Sequence, residues 1–373
     1  MITLKEATTV KEIRDFVKFP FSLYKNNNYW VPPIINDEIS GFDKDKNPVF
    51  KHADAQFFLA YRNNKIVGRV AAIINWTEIN EQQIKKMRFG WFDMIDDIEV
   101  TKALIDKVIQ IGKQNDLKFV EGPVGFSNLD KVGVLIEGFD HLGTMITWYN
   151  HPYYKEHLEK LGFVKAKEWL ENYMLFENLN PDNFTRLSKL IARRYDLRAI
   201  NFTKTEQIMP YVDKMFDLFN ASYAKLASFV PISDEQKKYF KEKYIKLINP
   251  EYIVYIADKE DNLVAFAVTM PSFSSALQKA NGRLFPFGFY HLLKAKKHSK
   301  EVIFYLIGVH PKYQNKGVTA MIFDEYYKTY SKRGVTKLIR TPELEENVAI
   351  RQLWKDMQPV THKRRRTYRL DIQ

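Results

Sequence analysis

The feature that most constrains the fold is a short apolar run followed at once by a basic, glycine-containing turn and an amphipathic segment. Residues 302–309 are β-branched and aromatic, as expected of a buried strand. After the turn, apolar side chains recur near helical spacing at Ala320, Ile322, Phe323, Tyr326, Tyr327 and Tyr330. The turn therefore stands at a helix N-terminus, where unpaired backbone N–H groups and the helix dipole favour an anion. Gly317 would let a pyrophosphate approach the backbone closely.

This strand-turn-helix segment resembles motif A of the GNAT superfamily of acyl-CoA N-acyltransferases, in which a Gln/Arg-x-x-Gly-x-Gly/Ala loop wraps the pyrophosphate of coenzyme A. The run Gln314-Asn315-Lys316-Gly317 matches the first four positions, whereas Thr319 stands where the family has Gly or Ala. The resemblance implies a set of coenzyme A ligands in this turn and at the start of the last helix, namely Val309, Gln314, Asn315, Lys316, Gly317, Val318, Thr319 and Asn347.

Length and composition limit the classes of function. A chain of 373 residues is long enough for about two domains. It has no cysteine, which excludes thiol nucleophiles and cysteine-based metal sites, and its eight histidines lack metal-ligand spacing, so we expect no metal. No signal-peptide core is present and no apolar run approaches the roughly 18 residues of a membrane span, so we expect a cytoplasmic protein. A formal charge of +12 favours polyanionic partners, which could be nucleic acid, anionic lipid or coenzyme A.

The predicted elements occur twice in the same order. Each half has a strand, one or two helices, a hairpin, and then alternating strands and helices, and a polar junction at Pro181 separates the two series. We predict an α/β protein, with an α+β mixed sheet, made of two tandem GNAT-like domains over residues 1–180 and 181–373.

The two halves keep different parts of the GNAT pattern. Residues 158–163 of the first half are similar to the end of motif B, but its motif A position carries Asp96, Asp97 and Glu99. These carboxylates suit a helix N-terminus, with Asp96 as N-cap and Glu99 closing a capping box, and they would repel pyrophosphate. We predict a degenerate coenzyme A loop in the first domain and acyl-CoA binding in the second.

Amide formation from a thioester requires a neutral amine, and therefore a base within hydrogen-bond reach. Glu345 is the first choice, and His310 and Glu343 also lie near the ends of the two central strands. The alternative is that the carboxylates cap the helix predicted at 349–357. In the GNAT family the oxyanion is held by a backbone N–H, here near Val309, and a Tyr in the last helix commonly protonates the thiolate. Trp354 occupies that Tyr position, so this role is not assigned.

An insertion at residues 271–300 interrupts the second half. It combines aromatic and aliphatic residues with a lysine cluster, which is the composition of an element at a lipid interface. The alternative is a lid whose aromatic residues pack inward. Residues 282–300 are therefore a candidate for peripheral membrane contact.

The basic run at residues 362–369 predicts an edge strand with alternate side chains facing solvent. No helix-turn-helix, zinc finger or RNA-binding aromatic motif accompanies it, so we predict no nucleic-acid partner.

These observations favour an acyl-CoA-dependent N-acyltransferase that transfers an acetyl or longer acyl group to a primary amine of a small molecule or a lipid. The layout of Trp30-Val31-Pro32-Pro33 and of residues 282–288 resembles a bacterial GNAT group that includes lipid-amine acyltransferases such as bacterial ceramide synthase. Long-chain acyl transfer to a lipid amine at the inner membrane surface is thus an alternative. A non-catalytic protein that binds coenzyme A is another, favoured by Trp354.

Overall fold

The structure is a computed structural model and describes residues 1–127, 129–224, 229–244, 248–348, 352, 354 and 357–372. Its strands are β1 (Thr3–Glu6), β2 (Ala53–Arg62), β3 (Lys65–Asn75), β4 (Lys86–Met94), β5 (Phe119–Gly122), β6 (Val134–Glu137), β7 (Val164–Leu175), β8 (Arg198–Asn201), β9 (Ile253–Ala257), β10 (Leu263–Pro271), β11 (Glu301–Val309), β12 (Lys337–Arg340), β13 (Glu343–Leu344) and β14 (Val360–Asp371).

The helices among the described residues are α1 (Val10–Leu23), α2 (Ile35–Gly41), α3 (Trp76–Asn80), α4 (Ile98–Gln114), α5 (Tyr153–Lys160), α6 (Asp182–Tyr195), α7 (Thr205–Ile208), α8 (Val212–Tyr223), α9 (Asp234–Tyr244), α10 (Ser274–Ala280), α11 (Gly288–His298) and α12 (Thr319–Arg333). Most of the helix predicted at 349–357 lies outside the described residues.

The chain forms two compact units, and neither of them is one continuous stretch of sequence. The first contains Met1–Leu170, Phe273–Leu292 and His362–Gln373, and the second contains Glu171–Ser272 and Leu293–Thr361. The contiguous division predicted at 180/181 therefore matches neither unit in full. The assignment of separate functions to the two halves stays a prediction.

The first unit is built on a sheet with the strand order β1-β2-β3-β4-β5-β14. The β2–β3 hairpin predicted from sequence is confirmed, and its turn has Asn63 and Asn64 at positive φ, which matches the twist of paired strands. Along β2 and β3, alternate side chains enter two different cores. One core contains the apolar face of α4 and the other contains Phe16 of α1, so helices cover both faces of this sheet.

The second unit repeats this arrangement with the strand order β7-β12-β11-β10-β9-β8. Apolar side chains of β9 and β10, including Val254 and Ala267, pack against Ile322 and Tyr326 of α12. Helix α8 packs against β10 and β11. In each unit one parallel strand pair lies among antiparallel ones, as β4 with β5 and as β11 with β12, so the predicted mixed α/β class is confirmed.

The basic terminal run forms β14, and the prediction that it is an edge strand is wrong. β14 follows β5 in the strand order and also pairs with β6. Lys363 and Arg365 are each only 1% exposed, because alternate side chains point into the first unit. Arg364 and Arg366 form ion pairs with Glu168. The sequence could not reveal this, because strand partners far apart in the chain leave no local signal.

The first part of the insertion belongs to the first unit. The Gln278 side chain in α10 donates hydrogen bonds to the carbonyl oxygens of Asn28 and Trp30, at 2.8 and 3.0 Å. The N–H of Ile35 donates to the carbonyl oxygen of Gly282 at 3.0 Å. The segment lies between β10 and β11 as predicted, but these contacts tie its beginning to the first unit rather than to the second half.

Candidate functional site

A fork between two parallel strands opens in the second unit. β11 and β12 pair in register from Glu301 with Lys337 to Phe304 with Arg340. β12 then ends, whereas β11 continues to Val309. The register between β10 and β11 shifts next to Phe304, which makes Tyr305 a bulge. The strands thus part at Phe304, and the last five residues of β11 extend beyond the end of β12.

The turn after β11 has the backbone conformation that an anion site needs. Asn315 and Gly317 have positive φ angles of 61° and 77°. The Gln314 side chain donates to the carbonyl oxygen of Val309 at 3.2 Å and closes the turn. Within the described part of the chain, the backbone N–H groups of Asn315, Gly317, Val318 and Thr319 donate to no protein acceptor. They stand at the N-terminus of the 15-residue helix α12, where the dipole also favours negative charge.

Lys316 adds a positive charge beside this turn. Its side chain is exposed, and its ammonium nitrogen lies 5.4 Å from the ring centroid of Tyr195 and 5.3 Å from that of Tyr313. Cation–π attraction to two rings restricts where the ammonium group can move. The two rings therefore limit the positions that this charge can take, and the role of Lys316 in phosphate binding stays a prediction.

Glu343 is an enclosed carboxylate just after the fork. Its Oε2 lies 2.6 Å from Nη2 of Arg340, and its side chain is 10% exposed. Burial raises the pKa of Glu343 to about 7, while the positive charge of Arg340 opposes the shift. A carboxylate that titrates near neutrality is suited to take a proton from an attacking group.

The other predicted base candidates have different surroundings. The ring nitrogen Nδ1 of His310 accepts a hydrogen bond from the backbone N–H of Lys312 at 3.2 Å, so this imidazole supports the turn. Glu345 and Asn347 lie half-buried in the turn after β13, where the N–H of Asn347 donates to the carbonyl oxygen of Leu344. Of the three base candidates, Glu343 has the environment that best suits a base.

Tyr223 and Arg340 belong to this site, although the sequence did not single them out. The Tyr223 hydroxyl, at the end of α8, donates to the carbonyl oxygen of Ile307 at 3.0 Å. Burial raises the pKa of Tyr223 to about 12, and the charge of Glu343 adds to the shift. Neither residue occupies a motif position in the sequence, so only the fold brings them to the fork.

The corresponding place in the first unit has a similar fork but an acidic helix start. β4 and β5 pair in parallel only from Lys86 to Arg88 on β4. The N-cap of α4 is Asp97, whose carboxylate accepts from the N–H of Glu99 at 2.9 Å and pairs with Arg62 at 2.6 Å. The prediction of Asp96 as N-cap is therefore wrong by one residue. Asp96 and Asp97 carry the same side chain, so the sequence alone does not distinguish them. Asp96 lies 3.3 Å from His157 instead.

An apolar cleft lies on the α12 face of the second unit. It is lined mainly by aromatic side chains, among them Phe304, Phe323, Tyr326 and Trp354. Among the described residues, no cluster of three or more His, Asp or Glu side chains could hold a metal ion. No helix in the described part of the chain is both long and apolar enough to cross a membrane.

Comparison with known proteins supports the fold. No protein-family model matches the chain. It is similar to Protein YghO of Escherichia coli (strain K12), at 26% identity over 371 residues that cover 97% of this chain and 93% of that protein. It is 24% identical over 313 residues to bacterial ceramide synthase of Caulobacter vibrioides (strain NA1000 / CB15N), covering 82% and 80% of the two chains.

Among solved structures, the chain resembles a tandem GNAT protein from the clavulanic acid biosynthesis pathway. The TM-score is 0.56 at 8% sequence identity, and the match covers 100% of this chain and 99% of that structure. The order of elements, the two forks and this match agree, and the predicted resemblance is confirmed at the level of the fold. The chain has the fold of the tandem GNAT acyltransferases.

Proposed function

We propose that the protein is an acyl-CoA-dependent N-acyltransferase that transfers an acetyl or longer acyl group to a primary amine. The observation that carries the proposal is the fork of the second unit, whose longer strand leads directly into a turn with four free backbone N–H groups. The GNAT fold supports acyltransfer as the class of reaction.

The pyrophosphate of the donor binds at the turn. The N–H groups of Asn315, Gly317, Val318 and Thr319 donate to it, and Lys316 supplies a positive charge. Val309, Gln314 and Asn347 complete the set of predicted ligands. The pantetheine arm carries two amides, which can hydrogen-bond to backbone groups of β11 where it runs beyond the end of β12. The donor would thus lie in the fork with its thioester toward Phe304.

Glu343 acts as the base in this proposal. The amine nitrogen attacks the thioester carbon, its proton passes to the Glu343 carboxylate, and the carbon–sulfur bond breaks to release the coenzyme A thiolate. The enclosed position of Glu343 keeps its pKa near the working pH, which suits this role better than the half-buried turn of Glu345. The Tyr223 hydroxyl donates a hydrogen bond to the carbonyl oxygen of Ile307 and so stabilises the part of β11 along which the donor lies.

A panel of acyl-CoA donors of increasing chain length, each offered small-molecule and lipid amines, tests the function. We expect thiol release that depends on both donor and amine. Coenzyme A binding without amine-dependent thiol release would favour the non-catalytic alternative. If calorimetry detects no coenzyme A binding, the proposal is wrong.

A lipid amine at the inner membrane surface is the second candidate acceptor. The observation that favours it is a group of exposed aromatic side chains in the insertion, with Phe285 at 76%, Phe287 at 72% and Tyr290 at 58% exposure. Lys294 and Lys297 follow on α11 and are also exposed. Exposed rings beside cationic side chains suit the boundary between headgroups and acyl chains of an anionic membrane. The 24% identity to a protein named bacterial ceramide synthase also supports a lipid acceptor and a long-chain donor.

Replacing Lys294, Lys296 and Lys297 together with Gln should release the protein from anionic vesicles. Each lysine contributes about 1 kcal/mol near such a surface, so partitioning should fall roughly a hundredfold, and added salt should weaken wild-type binding. A flotation assay measures this. Replacing three exposed lysines elsewhere, Lys113, Lys118 and Lys160, is the matched control and should change partitioning far less. If the wild type does not float with vesicles at low salt, the lipid acceptor is excluded in favour of a soluble amine.

A further inference from the structure

Arg340 is the last residue of β12, at the point where the fork opens. Its side chain is buried, and two of its donor nitrogens have no acceptor among the described residues. Its side chain is only 3% exposed. Nη2 contacts the Glu343 carboxylate, whereas Nε and Nη1 find no acceptor among the residues that the structure describes. Buried donors of a charged group are costly to leave unpaired, so their presence at a candidate site points to an acceptor that arrives with the ligand.

Neighbouring side chains hold this guanidinium group in place, but within the described residues they accept no hydrogen bond from its Nε and Nη1. Its central carbon lies 4.9 Å from the ring centroid of Trp354. That indole is in turn packed by Phe304 and Phe323, with ring centroids 5.1 and 4.9 Å away. The indole N–H has no hydrogen-bond acceptor within the described residues. Arg340 is thus fixed by stacking and by one ion pair, with two edges of its guanidinium left for another group.

We propose that Arg340 receives the thioester oxygen of the acyl donor and stabilises the oxyanion that forms when the amine attacks. The inference rests on the proposed acyltransferase function. A donor anchored at the turn after Val309 and extended along β11 runs back toward Phe304, and the five residues between them span roughly 16 Å. The extended pantetheine arm is of comparable length, so the thioester comes to the end of the fork where Arg340 lies.

The charges at this place also balance through the reaction. Before attack, the Glu343 carboxylate compensates the positive charge of Arg340. When the carbon–nitrogen bond forms, the amine proton moves to Glu343 and the negative charge moves to the former carbonyl oxygen. Arg340 then faces the oxyanion instead of the carboxylate, and the buried cluster keeps the same net charge. A site that needs no new counter-charge in the transition state is favourable in a low-dielectric interior.

Arg340→Lys tests the inference, because it keeps the positive charge beside Glu343 and removes the donors at Nε and Nη1. We expect turnover to fall about a hundredfold or more, since removing one oxyanion donor typically has an effect of that size, while coenzyme A affinity changes little. Arg333→Lys makes the same exchange at the C-terminal end of α12, where Arg333 pairs with Glu251, and this matched control should remain close to wild type.

The pH profile separates oxyanion stabilisation from an effect through Glu343. If Arg340 only positions or tunes the base, the variant should recover the wild-type rate at high pH, where Glu343 is ionised. If Arg340 binds the oxyanion, the rate should stay low across the whole profile. Recovery at high pH, or an unchanged rate at all pH values, would overturn the inference while leaving the proposed function intact.

A second measurement needs only the wild-type protein and so does not depend on the stability of the variant. The carbonyl stretch of a ¹³C-labelled thioester, recorded by isotope-edited infrared spectroscopy, should move to lower frequency on binding, because a cationic donor polarises the bond. An unshifted stretch in a bound donor would contradict a contact with Arg340. If the wild type binds no acyl-CoA by calorimetry, the proposed function fails and the inference falls with it.

Discussion

Gly317→Asp should lower the affinity for coenzyme A by tenfold to more than a hundredfold. The substitution adds a negative charge within the turn whose free N–H groups would bind the pyrophosphate, and the new side chain would start against Ile191 and Leu187 of α6. A charge-assisted hydrogen bond of this kind contributes about 1.5 to 3 kcal/mol, which corresponds to that change in affinity. Gly317 has a φ of 77°, so any side chain also adds backbone strain. Isothermal titration calorimetry with coenzyme A measures the effect.

Gly334→Asp is the matched control for charge and strain. Gly334 also has a positive φ, of 61°, but it follows the C-terminal end of the same helix α12. We expect it to cost a similar amount of stability and to leave coenzyme A affinity within a few-fold of wild type. Equal affinities in the two variants would mean that the turn after β11 does not bind the pyrophosphate.

Glu343→Gln should lower turnover about a hundredfold or more and leave donor affinity nearly unchanged, because a base acts in the transition state and does not hold the donor. Gln has nearly the same shape and still offers Arg340 an acceptor oxygen. Steady-state kinetics and calorimetry separate the two effects. Glu345→Gln is the comparison, and a larger loss in that variant would transfer the role of base to Glu345.

The wild-type rate should also depend on pH in a defined direction. Burial raises the pKa of Glu343 from the ordinary value of 4.5 to about 7, so the carboxyl group is mostly protonated below pH 7 and cannot accept a proton. The value of kcat/KM should therefore rise as the pH increases through about 7 and then level off. The variant Glu343→Gln should lack this rise. A rise that persists in the variant would belong to the amine substrate or to another group.

The sequence could predict the elements that depend on local chemistry. The pattern of apolar residues predicts strand β11 and helix α12. Gly317 and its polar neighbours predict the turn between them. The strand predicted at residues 302–309 agrees with β11 within one residue, and the apolar positions predicted from Ala320 to Tyr330 all lie within α12. These are also the elements that carry the candidate coenzyme A ligands, so this part of the site was accessible from sequence.

The environment of the base and of Arg340 could not be predicted in the same way. Glu343 and Glu345 are equivalent in a sequence, and only the end of β12 and the packing of Trp354 make one of them enclosed. Arg340 would ordinarily be expected at a surface. Its burial depends on Phe304, Phe323 and Trp354, which come together through the tertiary fold.

The position of β14 has a consequence for biosynthesis. Lys363 on this strand bonds to Leu142 of the first unit across 221 residues of chain, and β14 also pairs with β5. The first unit therefore lacks this strand until residues 360–371 have been synthesised, and until then β5 keeps an unpaired edge. Long-range pairing of this kind slows folding and exposes intermediates to aggregation. The sheet of the first unit thus cannot be completed before the residues of the second unit that precede β14 have been synthesised.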